Sequence, residues 1–187
     1  MYQPALGAAI AQHLEQLEGR IAHMYRDTRG YITIGVGHLL ATEQDATALA
    51  FIHRDTGLAA TPDAIRQEYQ ALSTRPYGQR HGASNFAAHT NLRLPDAEID
   101  TLTRQHIDRF GHELLSLYGP AFDTFPDPIK LALFDMIFNL GLTKLRRGFP
   151  RFNQHIHNRN WTAAAKESHR LGISEARNRS VHKLLSG

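Results

Sequence analysis

The sequence predicts a mainly helical α+β fold with one small β-hairpin or sheet near the amino terminus, and three observations carry that reading. Apolar residues recur at helical spacing through most of the chain; alternating β-branched residues occupy one short stretch, Tyr31 to Val36; and no segment repeats.

Taken in order, Ile10, Leu14, Leu17, Ile21 and Met24 form a stripe that predicts an amphipathic helix over about residues 8–23, with Glu18 beside the stripe near its end. The polar turn DTRGY follows, and Tyr31–Val36 then reads as a hairpin strand. On a strand, Tyr31, Thr33 and Gly35 share one face, and Ile32, Ile34 and Val36 share the other. Thr42 is a cap for a short helix, and Thr61-Pro62 opens another with Ile65, Tyr69 and Leu72 on one face. Residues 73–94 are rich in turn formers and lack a period, which predicts a long loop. Leu94-Pro95-Asp96 opens a long helix striped by Ile99, Leu102, His106, Phe110, Leu114 and Leu117. After Pro126, the run IKLALFDMIFNLG is apolar almost all the way round, as a central core helix ending at Gly141 would be. Further helices are expected around Phe149–Ile156, Trp161–Leu171 and Ser174–Leu185.

A chain of 187 residues can bury a sizeable core unaided, and the absence of cysteine excludes disulfide frameworks, thiolate metal sites and Cys nucleophiles. The net charge of +3 and twelve histidines suit a polyanionic partner such as an envelope polymer or nucleic acid, although the basic residues are scattered. The amino-terminal MYQPALGAAIAQHLEQLEG has neither a basic leader nor a long apolar run, so synthesis in the cytoplasm without a signal peptide is expected. No run of apolar residues is long enough to span a membrane.

The residues with chemistry to offer cluster early. Glycoside hydrolysis needs one carboxyl group protonated, to donate to the leaving oxygen, and one ionised, to activate water or attack the sugar. Glu18 beside an apolar stripe and Asp27 in a polar turn provide two contrasting environments, and Thr33 can hold a water for Asp27.

The pattern E-G-x-x-x-x-x-Y-x-D-T-x-G-Y-x-T-I-G-x-G-H-L-L, from Glu18 to Leu40, closely resembles the active-site segment of the phage-type lysozymes, glycoside hydrolase family 24. The resemblance extends to the helix from Pro95, to FDMIFNLG, to RNWTAAA at Arg159–Ala165 and to RNR at Arg177–Arg179, and fails over residues 41–93, an insertion by comparison. It implies a single catalytic domain of two lobes, with the amino-terminal helix, hairpin and insertion in 1–93 and a helical lobe in 94–187. The implied activity is an inverting muramidase that cuts between N-acetylmuramic acid and N-acetylglucosamine without metal or cofactor. Glu18 would be the general acid, with Asp27 and Thr33 positioning the water; Tyr31, Leu39, Asn139 and Arg179 would contact substrate. His38 matches a histidine that packs against an acid on the long helix, yet His106 stands where that acid would be, and Asp108 lies on another helical face.

The resemblance further implies a monomer acting on glycan strands of the wall in the bacterial periplasm. One setting is a phage endolysin released through a holin-dependent route. The other is an antibacterial effector delivered by a secretion apparatus and countered by an immunity protein. Rival readings are a non-catalytic glycan-binding domain, a nucleic-acid-binding domain, and a zinc enzyme using residues such as His155 and His157. The chain has no HExxH for the last, and GVGHLL lacks the GK[ST] ending of a phosphate loop.

Overall fold

The computed structural model describes residues 4–187 and has the expected fold class, mainly helical with a small antiparallel sheet. The order is α1 (Pro4–Glu18), β1 (Ile21–Arg26), β2 (Ile32–Gly35), β3 (His38–Leu40), α2 (Glu43–Thr47), β4 (Ile52–His53), α3 (Pro62–Ser73), β5 (Leu92–Arg93), α4 (Asp96–Tyr118), α5 (Asp127–Gly148), α6 (Pro150–His157), α7 (Trp161–Lys166) and α8 (Glu175–Ser186). Short 3-10 helices occupy Ala83–His89 and Gly119–Thr124. Among the described residues, no helix is long and apolar enough to cross a membrane.

Several boundaries follow from caps visible in the sequence. Thr42 and Thr61 accept from the backbone N–H three residues on, the first in a full capping box with Asp45. Ser174 caps α8 in the same way. The first helix, expected to reach residue 23, stops at Glu18 because Gly19 takes a left-handed conformation (φ 79°) that ends helices. Ile21 and Met24, which continue the helical stripe in sequence, are instead residues of β1. The expected loop over 73–94 contains the Ala83–His89 turn, with Phe86 buried, and β5, which pairs with β4. The core helix α5 is interrupted where its end was expected, at Gly141, then continues to Gly148.

The chain divides into two compact units, one comprising residues up to Leu17 with Gln105–Gly187, the other Glu18–Arg104. This differs from a 1–93 and 94–187 division at two places, each with a physical cause. In the helical unit, His13 of α1 donates to Asp135 of α5 (3.3 Å), which ties the first helix to the carboxy-terminal half. In the sheet unit, the Leu94 N–H donates to the Ala22 carbonyl (2.8 Å), and Arg20 holds Asp96 and Asp100 (3.2 and 2.8 Å), so the first turns of α4 belong with β1.

The helical unit packs α8 against α5 and α7, and α6 against α7. Phe134, Ile137, Phe152, Ile156, Ala164 and Val181 are fully buried. One acid interrupts this core. Asp135 is fully buried and accepts from Nη1 of Arg170 (2.8 Å), Nε of Arg177 (2.8 Å) and His13. Arg170 is itself buried, and its backbone exchanges hydrogen bonds with the Asn178 amide (3.1 and 3.0 Å). Burial alone would push the Asp135 carboxyl up, but the His13 hydrogen bond and the charges and hydrogen bonds of Arg177 and Arg170 outweigh it and hold the carboxyl below its ordinary range.

The sheet unit is built on the meander β1-β2-β3. Its register places Thr33 opposite Tyr25 on one side and Leu39 on the other, with an irregularity in β1 between Ile21 and Tyr25. Every residue of β2 is buried, Thr33 included, so this central strand is covered on both faces rather than on the Ile32/Ile34 face alone. Helix α3 packs on β1 and β2, and the 3-10 turn at Ala83–His89 packs on β1.

Candidate active site

The sheet unit contains Glu18, Asp27, Tyr31, Thr33 and Leu39; Thr33 and Leu39 share a cross-strand row with Tyr25, and Asp27 and Tyr31 close the turn at the end of that strand pair. Glu18 is the last residue of α1, half-buried, three residues before β1 begins. The Tyr25 phenol is pushed up to about 12, first by burial, then by the negative charges of Glu18 and Asp27. Both carboxyl groups therefore act on one phenol, although nine residues separate them in sequence. Thr33 is the cross-strand partner of that tyrosine, and directly opposed residues on antiparallel strands project to the same face. Leu39 extends the row to β3.

The Asp27 turn is closed by its own backbone and by its side chain. The Asp27 N–H donates to the Tyr31 carbonyl (2.9 Å) and the Gly30 N–H to the Asp27 carbonyl (3.0 Å). Carboxylate Oδ1 accepts from the N–H groups of Arg29 (2.8 Å) and Tyr31 (2.9 Å). This is the turn chemistry for which Asp is suited. Among the described residues nothing donates to Oδ2, so one oxygen anchors the group and the other remains to meet water. The Thr33 hydroxyl donates to the Tyr31 carbonyl (3.3 Å), leaving its lone pairs to accept. Tyr31 and Leu39, at 55% and 48% exposure, offer large apolar surfaces beside these polar groups.

Asn139 and Arg179 belong to the helical unit. Asn139 is half-buried, two residues before the interruption of α5, and Arg179 is exposed on α8. The inward-facing arginine of that helix is Arg177, two residues earlier, on Asp135. His106 lies beside the rings of Phe110 and Phe138, with centroids 6.0 and 6.2 Å away.

Residues 41–93 build structure of their own. A cavity of about 750 Å³ is lined by His53, Arg54, Glu68, His89 and Asn91 among others, and by none of the site residues named above. Glu68 is buried there and accepts from the N–H groups of Asn91 (2.6 Å) and Leu92 (3.1 Å); burial pushes its carboxyl up despite those bonds. Among the described residues, no group of three or more His, Asp or Glu side chains is arranged to hold a metal ion.

Sequence reasoning missed Tyr25 as the cross-strand partner of Thr33, and missed Asp135, Arg170 and Arg177 as a cluster. The second had a signal: Asp135 stands alone among the apolar residues Leu131–Phe138, and a buried acid requires partners. Comparison with protein-family models finds no match, and no curated protein matches the chain.

Proposed function

We propose that the chain is a peptidoglycan hydrolase, a muramidase that cuts the β-1,4 bond between N-acetylmuramic acid and N-acetylglucosamine with inversion. The observation that supports this best is the local geometry of the sheet unit: Thr33 stands directly across the strand pair from Tyr25, and Asp27 sits at the end of the same pair with one carboxylate oxygen fixed by its own turn. In this reading Glu18 gives its proton to the glycosidic oxygen as the bond to the anomeric carbon breaks. A water, held by Thr33 and by Oδ2 of Asp27, attacks that carbon from the opposite face and releases its proton to Asp27. Tyr31 and Leu39 supply apolar surface for the sugar rings. The assignment rests on the sheet unit alone. The protein would act on glycan strands in the bacterial periplasm, as a phage endolysin or as an antibacterial effector.

The primary test is release of reducing ends from purified peptidoglycan, alongside a zymogram. Absence of cleavage on every wall type would end the muramidase reading. Stereochemistry provides a further prediction. Room for a water between the acids requires carboxyl groups about 6.5–9.5 Å apart and inverts the anomer, whereas direct attack requires about 5–5.5 Å and retains it. The first-formed product should be the α-anomer, seen by proton NMR before mutarotation, and early β-anomer would remove the water-holding role from Asp27 and Thr33. Thr33→Glu places a carboxylate in the water's position, so a covalent sugar adduct is expected by mass spectrometry of that variant.

A further inference from the structure

The insertion is fastened to the turn that carries Asp27, and the fastening is made by Arg26 and Tyr77. Arg26 is the last residue of β1. Its Nε donates to the Gly30 carbonyl across the turn (2.9 Å), its Nη1 donates to the Arg75 carbonyl in the insertion, and its guanidinium lies over the Tyr77 ring, 4.2 Å from the centroid. The ring also abuts Gly30: a Cβ there would come within 2.9 Å of Cζ of Tyr77 and 2.9 Å of Nη2 of Arg26. Gly30 has φ 90°, so the turn needs glycine for its backbone conformation as well as for this close approach. A second tether lies on the same strand, where Nε2 of His23 meets the Ala83 carbonyl at 3.0 Å.

We propose that Tyr77 is a positioning residue for the hydrolytic step: together with Arg26 it clamps the 27–31 turn and so sets where the Asp27 carboxylate stands. This rests on the muramidase reading. Oδ1 of Asp27 is held by the N–H groups of Arg29 and Tyr31, the residues either side of Gly30, so the carboxylate moves with the turn. The turn is held from outside through Gly30, by the Arg26 side chain and the Tyr77 ring. Tyr77 hydroxyl makes no hydrogen bond among the described residues, so the ring face rather than the hydroxyl makes the contact. Guanidinium–aromatic stacking depends on that face and is kept by phenylalanine.

The test compares Tyr77→Phe, Tyr77→Leu and Tyr77→Ala in the full chain, by steady-state kinetics on soluble glycan chains and by amide hydrogen exchange at Arg29 and Tyr31. In Tyr77→Leu and Tyr77→Ala, kcat should fall about tenfold or more, in keeping with the cost of misplacing a reacting group by about an ångström. KM should stay near its original value, and the two amides should exchange faster while the fully buried strand β2 keeps its protection. Tyr77→Phe should match the unaltered protein in both measurements. Unchanged kcat, a rise in KM alone, or equal losses in Tyr77→Phe and Tyr77→Ala would overturn the clamp; the second would make the ring a sugar-stacking surface instead. Loss of the muramidase reading is separate, since it is seen as inactivity of the unaltered protein. The exchange arm then decides alone, with unchanged protection at Arg29 and Tyr31 in Tyr77→Leu counting against the clamp. If Tyr77→Ala does not fold, Tyr77→Leu keeps the apolar bulk and carries both comparisons.

Discussion

Replacing Glu18 by Gln is expected to lower turnover on peptidoglycan by about 10²- to 10⁴-fold, the span that a positioned general acid contributes, while the protein stays folded. The amide fills the same space but cannot give up a proton to the glycosidic oxygen. A readout independent of activity comes from Tyr25. Burial, and then the negative charges of Glu18 and Asp27, make ionising the phenol unfavourable and hold it at about 12. Removing the Glu18 charge should therefore bring the Tyr25 value down, and Asp27→Asn should act in the same direction by a smaller amount. Carbon NMR of labelled tyrosine follows this. Near-normal turnover in folded Glu18→Gln would refute the acid assignment. An unmoved Tyr25 in both variants would mean that the carboxyl groups do not converge on that phenol.

The second large effect concerns stability. Asp135→Asn retains shape but leaves Arg170 and Arg177 without the buried carboxylate that both contact, and breaking such a group by removing one partner costs about 3–5 kcal/mol. Since whole domains are stable by about 5–15 kcal/mol, urea unfolding should show a marked drop in the midpoint. The pH dependence has a definite sign. The Asp135 carboxyl is held below its ordinary value in the folded state, so its stabilisation is fully present above the unfolded value of about 3.9 and is lost as pH falls through the folded value. Asp135→Asn should abolish that part of the acid sensitivity, so the two proteins' stabilities should converge on acidification below about pH 4. A midpoint that barely shifts at neutral pH would show that the arginines find equivalent partners without Asp135.

Local signals were legible in the sequence, and pairings between distant residues were not. Thr42, Thr61 and Ser174 mark helix starts because a side-chain oxygen three residues before a free N–H needs nothing from the rest of the fold. Over 21–24 the pattern is ambiguous, because Ile21 and Met24 satisfy the helical stripe and also suit a strand; Gly19 decides between them through its left-handed backbone. β4 and β5 are two residues each, too short for periodicity to register. At the candidate site, Glu18, Asp27 and Thr33 form a spaced pattern in the sequence, but the pairing of Tyr25 with Thr33 depends on a register that no local signal sets. The RNR motif drew attention to Arg179, whereas helical geometry turns Arg177 inward and leaves Arg179 at the surface.

The short β4–β5 ladder has a consequence for how such a protein can change over time. By pairing Ile52 with Arg93 and His53 with Leu92, it gathers the two ends of the intervening segment at one doorway. A segment that leaves and re-enters at one point can be lengthened, trimmed or exchanged between genes without rethreading the rest of the chain. Its grip on the Asp27 turn, through Arg26, is then the part that a newly acquired segment would have to reinvent. Descendants that swap the cassette are expected to change at positions 26 and 77 together rather than singly, while position 30 stays glycine for its backbone conformation.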